Sequence, residues 1–160
     1  IVFTSQGTPF MFAGEEVFRD KKGVHNSYKS PDSINAIDWS LKNKNIDQFR
    51  YYQELIKLRK AHPAFRMTTA DEIARNIVFD KTKEPNLISY SIKNNANGDY
   101  WKEIKLVFNG AEETRTVNIP KGNWIVIAQD GQIKADGIGT VKGGKMDVAP
   151  TSALILAREK

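Results

Sequence analysis

The spacing of apolar residues changes along the chain, and this change most constrains the fold. Before about residue 66 apolar residues occur in continuous runs or at helical intervals, whereas from about residue 76 they alternate with polar ones. A period near 3.6 indicates helix and a period of two indicates strand. The sequence therefore predicts an α/β part followed by an all-β part. We place the boundary between Arg66 and Thr69, which gives domains 1–66 and 67–160.

The second part has the pattern of an antiparallel sandwich. Alternation of apolar and polar residues is clear over 88–92 and 104–108, and residues 124–128 are apolar on both faces. Turn-forming sequences separate these runs: Asn97-Gly98, Asn109-Gly110, Pro120-Lys121-Gly122 and Gly143-Gly144. Short strands at such intervals favour a sandwich or barrel. Trp101 and Trp124 are predicted to be structural residues rather than a sugar-binding platform.

The first part has the pattern of one β–loop–α unit. The apolar run 7–14 predicts a strand buried on both faces, and residues 15–44 predict a long loop. The helix is predicted from Asn45, as its cap, to Ala61. Its buried stripe comprises Ile46, Phe49, Tyr52, Gln53, Leu55 and Ile56, and it ends at His62-Pro63. One strand cannot form a sheet, and the sequence opens inside an apolar stretch, so we expect the chain to be cut from a longer protein.

Composition excludes several classes of protein. The 160 residues are 40% hydrophobic, lack cysteine and carry a formal charge of +5, which rules out a disordered tail, a disulfide framework and a thiolate metal site. Two histidines cannot form a His-rich metal site. No apolar run could cross a bilayer. The densest basic cluster is Lys57, Arg59 and Lys60 at a helix end, which predicts a solvated surface. Neither nucleic acid nor membrane is expected as a partner.

The first part contains acidic and polar residues that are candidates for catalysis or ligand binding. Glu15 and Glu16 are adjacent, so at the end of a strand they would point apart and could not form a glycosidase dyad. We expect Glu15 or Glu16 to bind neighbouring loop amides instead. The loop also gathers hydrogen-bonding and aromatic side chains: His25, Asn26, Tyr28, Asp32, Asn35 and Trp39. That mixture suits sugar hydroxyls and ring faces, but it equally suits loop stabilisation, and both interpretations stay open at this point.

Four segments together resemble a known enzyme family. Residues 6–16, QGTPFMFAGEE, resemble the eighth barrel strand of the alpha-amylase superfamily of glycoside hydrolases. Residues 26–39, with NSYKSPDSIN and IDW, are similar to the pullulanase branch, the type I debranching enzymes. Residues 55–65 resemble the last barrel helix and its exit, and residues 107–124 resemble the C-terminal β-sandwich. One departure is Glu15, where the family more often has Gln.

The resemblance implies a fold and an activity for the parent protein. It implies that residues 1–66 are the last β–loop–α unit of a TIM-type barrel, whose other strands would be the main partner of this chain. It also implies retaining cleavage of α-1,6 branch points in pullulan, starch or glycogen-type glucans. The nucleophilic Asp, the acid/base Glu and the stabilising Asp would lie before Ile1. No catalytic residue is therefore expected in this chain, which should be inactive alone.

By the same resemblance, the site residues expected here bind substrate. Asn26, Tyr28, Asp32 and Asn35 are assigned to glucosyl recognition. No cofactor or metal is expected in the chain; the superfamily allows calcium in a full-length enzyme, but no EF-hand-like motif is present. A polysaccharide substrate favours a secreted, periplasmic or cell-surface location. Two alternatives remain open: a stand-alone glucan-binding module without catalysis, and a related isoamylase or branching enzyme.

Overall fold

The computed structural model describes residues 1–159, and these residues form two compact units. One unit joins residues 1–9 to residues 54 onwards, and the other comprises residues 10–53. The first unit therefore crosses the domain boundary expected near residue 66. That boundary stays a prediction for the parent protein. No helix within residues 1–159 is both long and apolar enough to span a membrane.

The helices of the described residues are short except for one. The long helix begins one residue after the predicted Asn45 and ends at the predicted Ala61. Its buried residues are Leu58 and Arg59. The helices are α1 (Asp32–Asn35), α2 (Leu41–Lys44), α3 (Ile46–Ala61) and α4 (Ala70–Asn76), with 3₁₀ turns at Val2–Thr4, Glu15–Val17, Pro63–Arg66 and Ala96–Gly98.

Three details of the first-part prediction are wrong. The run 7–14 is not a strand, and Phe10 within it is 87% exposed. A strand needs neighbours to satisfy its N–H and C=O groups, and no parallel strand pair occurs among residues 1–159. The predicted stripe of α3 is only partly covered: Gln53 and Ile56 are exposed, and its other four residues are half-buried. Finally, Arg59 is buried rather than solvated.

The all-β part is confirmed as an antiparallel two-sheet domain. The larger sheet has the order β1-β2-β3-β9-β5-β6, with β7 also paired to β5, and the smaller sheet pairs β4 with β8. Strand pairing is antiparallel throughout the described residues. The strands are β1 (Ile77–Phe79), β2 (Leu87–Ile92), β3 (Glu103–Asn109), β4 (Arg115–Asn118), β5 (Asn123–Gln129), β6 (Gln132–Ile133), β7 (Gly139–Lys142), β8 (Lys145–Val148) and β9 (Ser152–Arg158).

The core lies between the two sheets. Trp124 is 1% exposed in this core, and its indole N–H donates to the carbonyl of Pro120. The same buried cluster contains side chains from both sheets: Leu87, Val107, Val117, Val126, Val148, Leu154 and Leu156. The turn between β7 and β8 requires glycine, because a Cβ at Gly143 would lie 1.9 Å from the Pro120 carbonyl oxygen. Trp124 is therefore structural, as predicted.

The opposite face of the larger sheet meets the start of the chain. The phenol of Tyr90 donates to the carbonyl of Thr4, and Gln6 binds the main chain of both Ala64 and Met67. Arg59 donates to the carbonyls of Phe3, Ser5 and Gly7. These bonds attach residues 3–7 to the end of α3 and to the turn that follows it.

A buried polar cluster joins the end of α3 to the loop between β2 and β3. The ring of His62 stacks on Trp101 at 3.3 Å between centroids, and its Nδ1 lies 3.0 Å from Oδ1 of Asp99. Because a carboxylate only accepts, Nδ1 carries the proton. Asp99 also accepts from the backbone N–H groups of Ala64 and Trp101. Trp101 is therefore structural too.

Candidate functional site

The candidate site is the segment 15–44, which was predicted to be a loop. It contains two single helical turns, α1 and α2, and otherwise consists of turns and irregular backbone. Asp32 is the first residue of α1, after Pro31 in an extended conformation. Asn26, Tyr28 and Asp32 are exposed, and Trp39 is 62% exposed. The segment presents polar and aromatic side chains on a folded backbone.

The three exposed candidates have unoccupied polar groups. No hydrogen bond to another residue in 1–159 uses the side chain of Asn26, Tyr28 or Asp32. The ammonium group of Lys29 lies 5.3 Å from the centre of the Tyr28 ring and covers one of its faces. A carboxylate, an amide and a phenol in this state can bind hydroxyl groups supplied by a ligand.

Asn35 is in a different state, because its amide is fully used inside the segment. Its Nδ2 donates to the carbonyls of Ser27 and Ser30, both at 2.7 Å. Its Oδ1 accepts from Lys21 Nζ at 2.6 Å. An ammonium group can only donate and a carbonyl can only accept, so this environment allows one orientation of the amide. Asn35 joins α1 to the turn that carries Tyr28.

Lys21 and Arg19 contribute to this arrangement, and sequence reasoning missed both. Lys21 Nζ donates to Ser27 Oγ at 2.9 Å as well as to Asn35. Arg19 donates to the backbone carbonyl of Asn35. Both cations lie over the ring of Phe12, at 5.5 Å and 5.2 Å from its centre. Desolvation and the neighbouring Arg19 lower the pKa of Lys21. Lys21 and Asn35 are 14 residues apart, so no short sequence motif indicates that their side chains meet.

The acidic pair does not form a catalytic dyad. Glu15 and Glu16 lie in a 3₁₀ turn, and Glu16 Oε2 accepts from the N–H of Gly14 at 3.0 Å. This is the structural role predicted for one of the two residues, and Glu16 has it. Burial, followed by the charges of Glu15 and Glu16, raises the pKa of Tyr52. Among residues 1–159, no group of three His, Asp or Glu side chains could hold a metal ion.

The other unit contains a cavity of about 490 Å³. Residues of the chain start, α4 and β1–β3 line it. Its aromatic and aliphatic wall includes Ile77, Phe79, Ile88, Tyr90 and Phe108. Polar groups that could orient a sugar are few here, since Gln6 already binds backbone and Tyr90 donates to Thr4. The cavity therefore lacks the chemistry of the 15–44 segment.

Comparison with known proteins gives a consistent result. A family profile described as "Pullulanase, all-beta domain" matches residues 73–132. A solved structure of pullulanase from Bacillus acidopullulyticus superposes with a TM-score of 0.92 at 44% identity, over 98% of this chain and 19% of that one. The chain is similar to one part of that pullulanase over nearly its whole length. The pullulanase of Bacillus subtilis strain 168 is 39% identical over 120 residues, 75% of this chain and 17% of that protein.

A third pullulanase carries a ligand. The structure from Anoxybacillus sp. LM18-11, described as complexed with maltotriose, superposes with a TM-score of 0.86 at 34% identity, over 98% of this chain and 21% of that one. The chain thus spans about a fifth of the length of these pullulanases. Within its all-β part, the match to the pullulanase all-beta domain profile ends at residue 132.

Proposed function

We propose that this chain is the C-terminal portion of a glycoside hydrolase that cleaves α-1,6 branch points in pullulan, starch or glycogen-type glucans. The observation that supports the proposal best is the likeness to pullulanase structures over 98% of the chain, which includes the 15–44 segment as well as the sheets. In this proposal residues 1–66 complete a catalytic barrel, and residues 67–160 form the β-sandwich that stabilises it.

In the parent enzyme, the 15–44 segment would bind glucosyl units near the cleavage point. Asp32 would accept hydrogen bonds from two sugar hydroxyls, and Asn26 would donate and accept through its amide. Tyr28 would offer its phenol and the ring face that Lys29 leaves open. Asn35 would contribute by holding the other three in place, because its amide is already occupied.

The chemical step would depend on residues outside this chain. Retaining hydrolysis needs two carboxyl groups about 5–5.5 Å apart, one as nucleophile and one as acid/base. Glu16 is bound to a backbone N–H, and in this proposal the two catalytic carboxyl groups lie before Ile1. The chain alone should therefore bind glucan weakly and hydrolyse none.

Substitution of Asp32 in the full-length enzyme tests the proposal. Asp32→Ala should lower kcat/KM on pullulan about tenfold or more, because sugar hydroxyls lose a charged acceptor in a desolvated site. Asp47→Ala, which removes an exposed carboxylate in the first turn of α3, is the matched control. Unchanged kinetics for Asp32→Ala would exclude Asp32 from the site.

A non-catalytic glucan-binding module is the second candidate, and the unoccupied side chains of Asn26, Tyr28 and Asp32 favour it. Affinity electrophoresis of the 160-residue chain in gels with and without pullulan separates the two. Strong retardation by pullulan, with no activity when the chain is joined to a barrel, would favour the module. The alternatives of an isoamylase or a branching enzyme differ in product, since a branching enzyme forms new branches.

A further inference from the structure

We infer that Lys21 is a positioning residue for glucan binding: it orders the segment that carries Tyr28 and Asp32 before the glucan arrives. The inference rests on the proposed function of that segment. It assigns to Lys21 a role that acts through Asn35 and Ser27 and involves no contact with the sugar. Its basis is the hydrogen-bond geometry around Asn35.

The bonds of Lys21 and Asn35 close two neighbouring turns. The first turn comprises residues 27–30 and contains Tyr28. The N–H of Ser30 closes it by donating to the carbonyl of Ser27 at 2.9 Å. The second is α1, in which the N–H of Asn35 donates to the carbonyl of Pro31 at 3.0 Å and Asp32 is the first residue. The Asn35 amide bridges the two turns, so Tyr28 and Asp32 are held on one framework.

Lys21 determines whether that bridge can form. The carbonyls of Ser27 and Ser30 can only accept, so the N–H₂ group of Asn35 must point towards them. The amide oxygen Oδ1 then faces Lys21. Without a donor there, a partly buried amide oxygen would lose its partner, and amide orientations that break the bridge would become competitive. The second bond of Lys21, to Ser27 Oγ, anchors the first turn directly.

An ordered segment binds more tightly because less conformational entropy is lost on binding. If the segment is disordered in the free enzyme, its ordering reduces binding of the substrate and of the transition state equally. A uniform loss of this kind raises KM and leaves kcat nearly unchanged. A residue that only stabilised the overall fold would change the melting temperature without this kinetic signature.

The test compares Lys21→Met with Lys22→Met in the full-length enzyme, using pullulan and maltotriose. Lys22 is adjacent and exposed. At both positions, replacement by Met removes the positive charge and keeps an unbranched side chain of similar length. We expect Lys21→Met to raise KM for pullulan about tenfold with kcat changed less than about twofold, and Lys22→Met to change neither. Amide exchange over residues 27–35 should be faster in Lys21→Met and should slow when maltotriose is added.

A double-mutant cycle with Asp32→Ala supplies a second readout. If Lys21 acts by holding Asp32 in place, Asp32→Ala should cost less in the Lys21→Met background than in the wild type. Should Lys21→Met fail to fold, Ser27→Ala removes one of its two partners and should raise KM by a smaller factor.

The outcomes separate the two proposals. A raised KM for Asp32→Ala but an unchanged KM for Lys21→Met and Ser27→Ala would overturn the present inference alone. Strictly additive effects in the cycle would also overturn it. Unchanged kinetics for Asp32→Ala itself would overturn the proposed function, and the role of Lys21 with it.

Discussion

Asp99 is a buried carboxylate whose oxygens accept from His62, Ala64 and Trp101. Burial alone would raise the pKa of Asp99, but the hydrogen bonds from His62 and the two backbone N–H groups outweigh it and hold the pKa below its ordinary value of 3.8. A carboxyl group with a depressed pKa in the folded state stabilises the fold above its unfolded pKa. That contribution is lost as the pH falls below 3.8 through the lower folded pKa.

Replacement of Asp99 by Asn should therefore lower stability and change its pH dependence. The new amide N–H₂ would face a donor, so we expect the free energy of unfolding at neutral pH to fall by about 1–3 kcal/mol. We also expect the free energy of unfolding of the variant to fall less steeply with decreasing pH, below the ordinary Asp pKa, than that of the wild type. Urea unfolding at several pH values measures both. Asp130→Asn, at an exposed turn position with positive φ that suits either residue, is the control.

At the scale of elements, Arg59 connects α3 to the start of the chain. Its guanidinium group donates to the carbonyls of Phe3, Ser5 and Gly7, and the residue is 6% exposed. Burial lowers the pKa of Arg59, with a smaller contribution from Arg66, yet the side chain stays charged at neutral pH. Its planar set of donors can reach several carbonyls at once, which a single ammonium group cannot do.

Arg59→Met should release residues 3–7 from α3. Charged hydrogen bonds to three partly buried carbonyls would be lost, so we expect the free energy of unfolding to fall by about 2–4 kcal/mol. Lys60→Met removes an exposed cation from the same helical turn and should have little effect. Chemical unfolding monitored by circular dichroism is the measurement. Equal effects of the two substitutions would contradict the role of Arg59.

Local signals in the sequence predicted some elements well and others poorly. The helix from Ile46 to Ala61 was predicted within one residue, because the sequence His62-Pro63 ends a helix by itself. Helix α4 was missed, although Thr69 and Glu72 form a capping box in which Glu72 N–H donates to Thr69 Oγ1. The strand over 7–14 was predicted only from its run of apolar residues. Such a run forms a strand only where a neighbouring strand can pair with it.

The candidate site could be predicted only in part. Sugar recognition by Asn26, Tyr28 and Asp32 was predicted from their motif and stays a prediction, whereas their place together in one segment is observed. The occupied amide of Asn35 and the bridging role of Lys21 depend on side chains meeting across the segment. Such contacts depend on the folded backbone, so residue type and spacing could not reveal them.

For the whole molecule, residues 1–9 and the end of α3 form one compact unit with the β-sandwich. Leu58 and Phe65 are fully buried there, and Tyr90 donates to Thr4. Each large apolar side chain buried in this way contributes about 1.5–3 kcal/mol. Residues 67–160 alone would expose the surface that these residues cover.

A chain that begins at residue 67 should therefore be less stable than the full chain. We expect its melting temperature to lie at least about 10 °C lower, since a domain of this size loses several degrees for each kcal/mol. Differential scanning calorimetry of the two chains gives the comparison. Equal melting temperatures would instead show that residues 67–160 are as stable alone as in the full chain, which would support a domain boundary near residue 66.

The bonds of Arg59 also have a consequence for synthesis. A ribosome completes residues 3–7 more than 50 residues before it adds Arg59, whose bond to the Gly7 carbonyl spans 52 residues. During that interval the carbonyls of Phe3, Ser5 and Gly7 lack their guanidinium donor and are left to water. Translation therefore has to proceed through the last turns of α3 before residues 3–7 gain these partners, and a pause before that point would leave residues 3–7 accessible to chaperones and proteases.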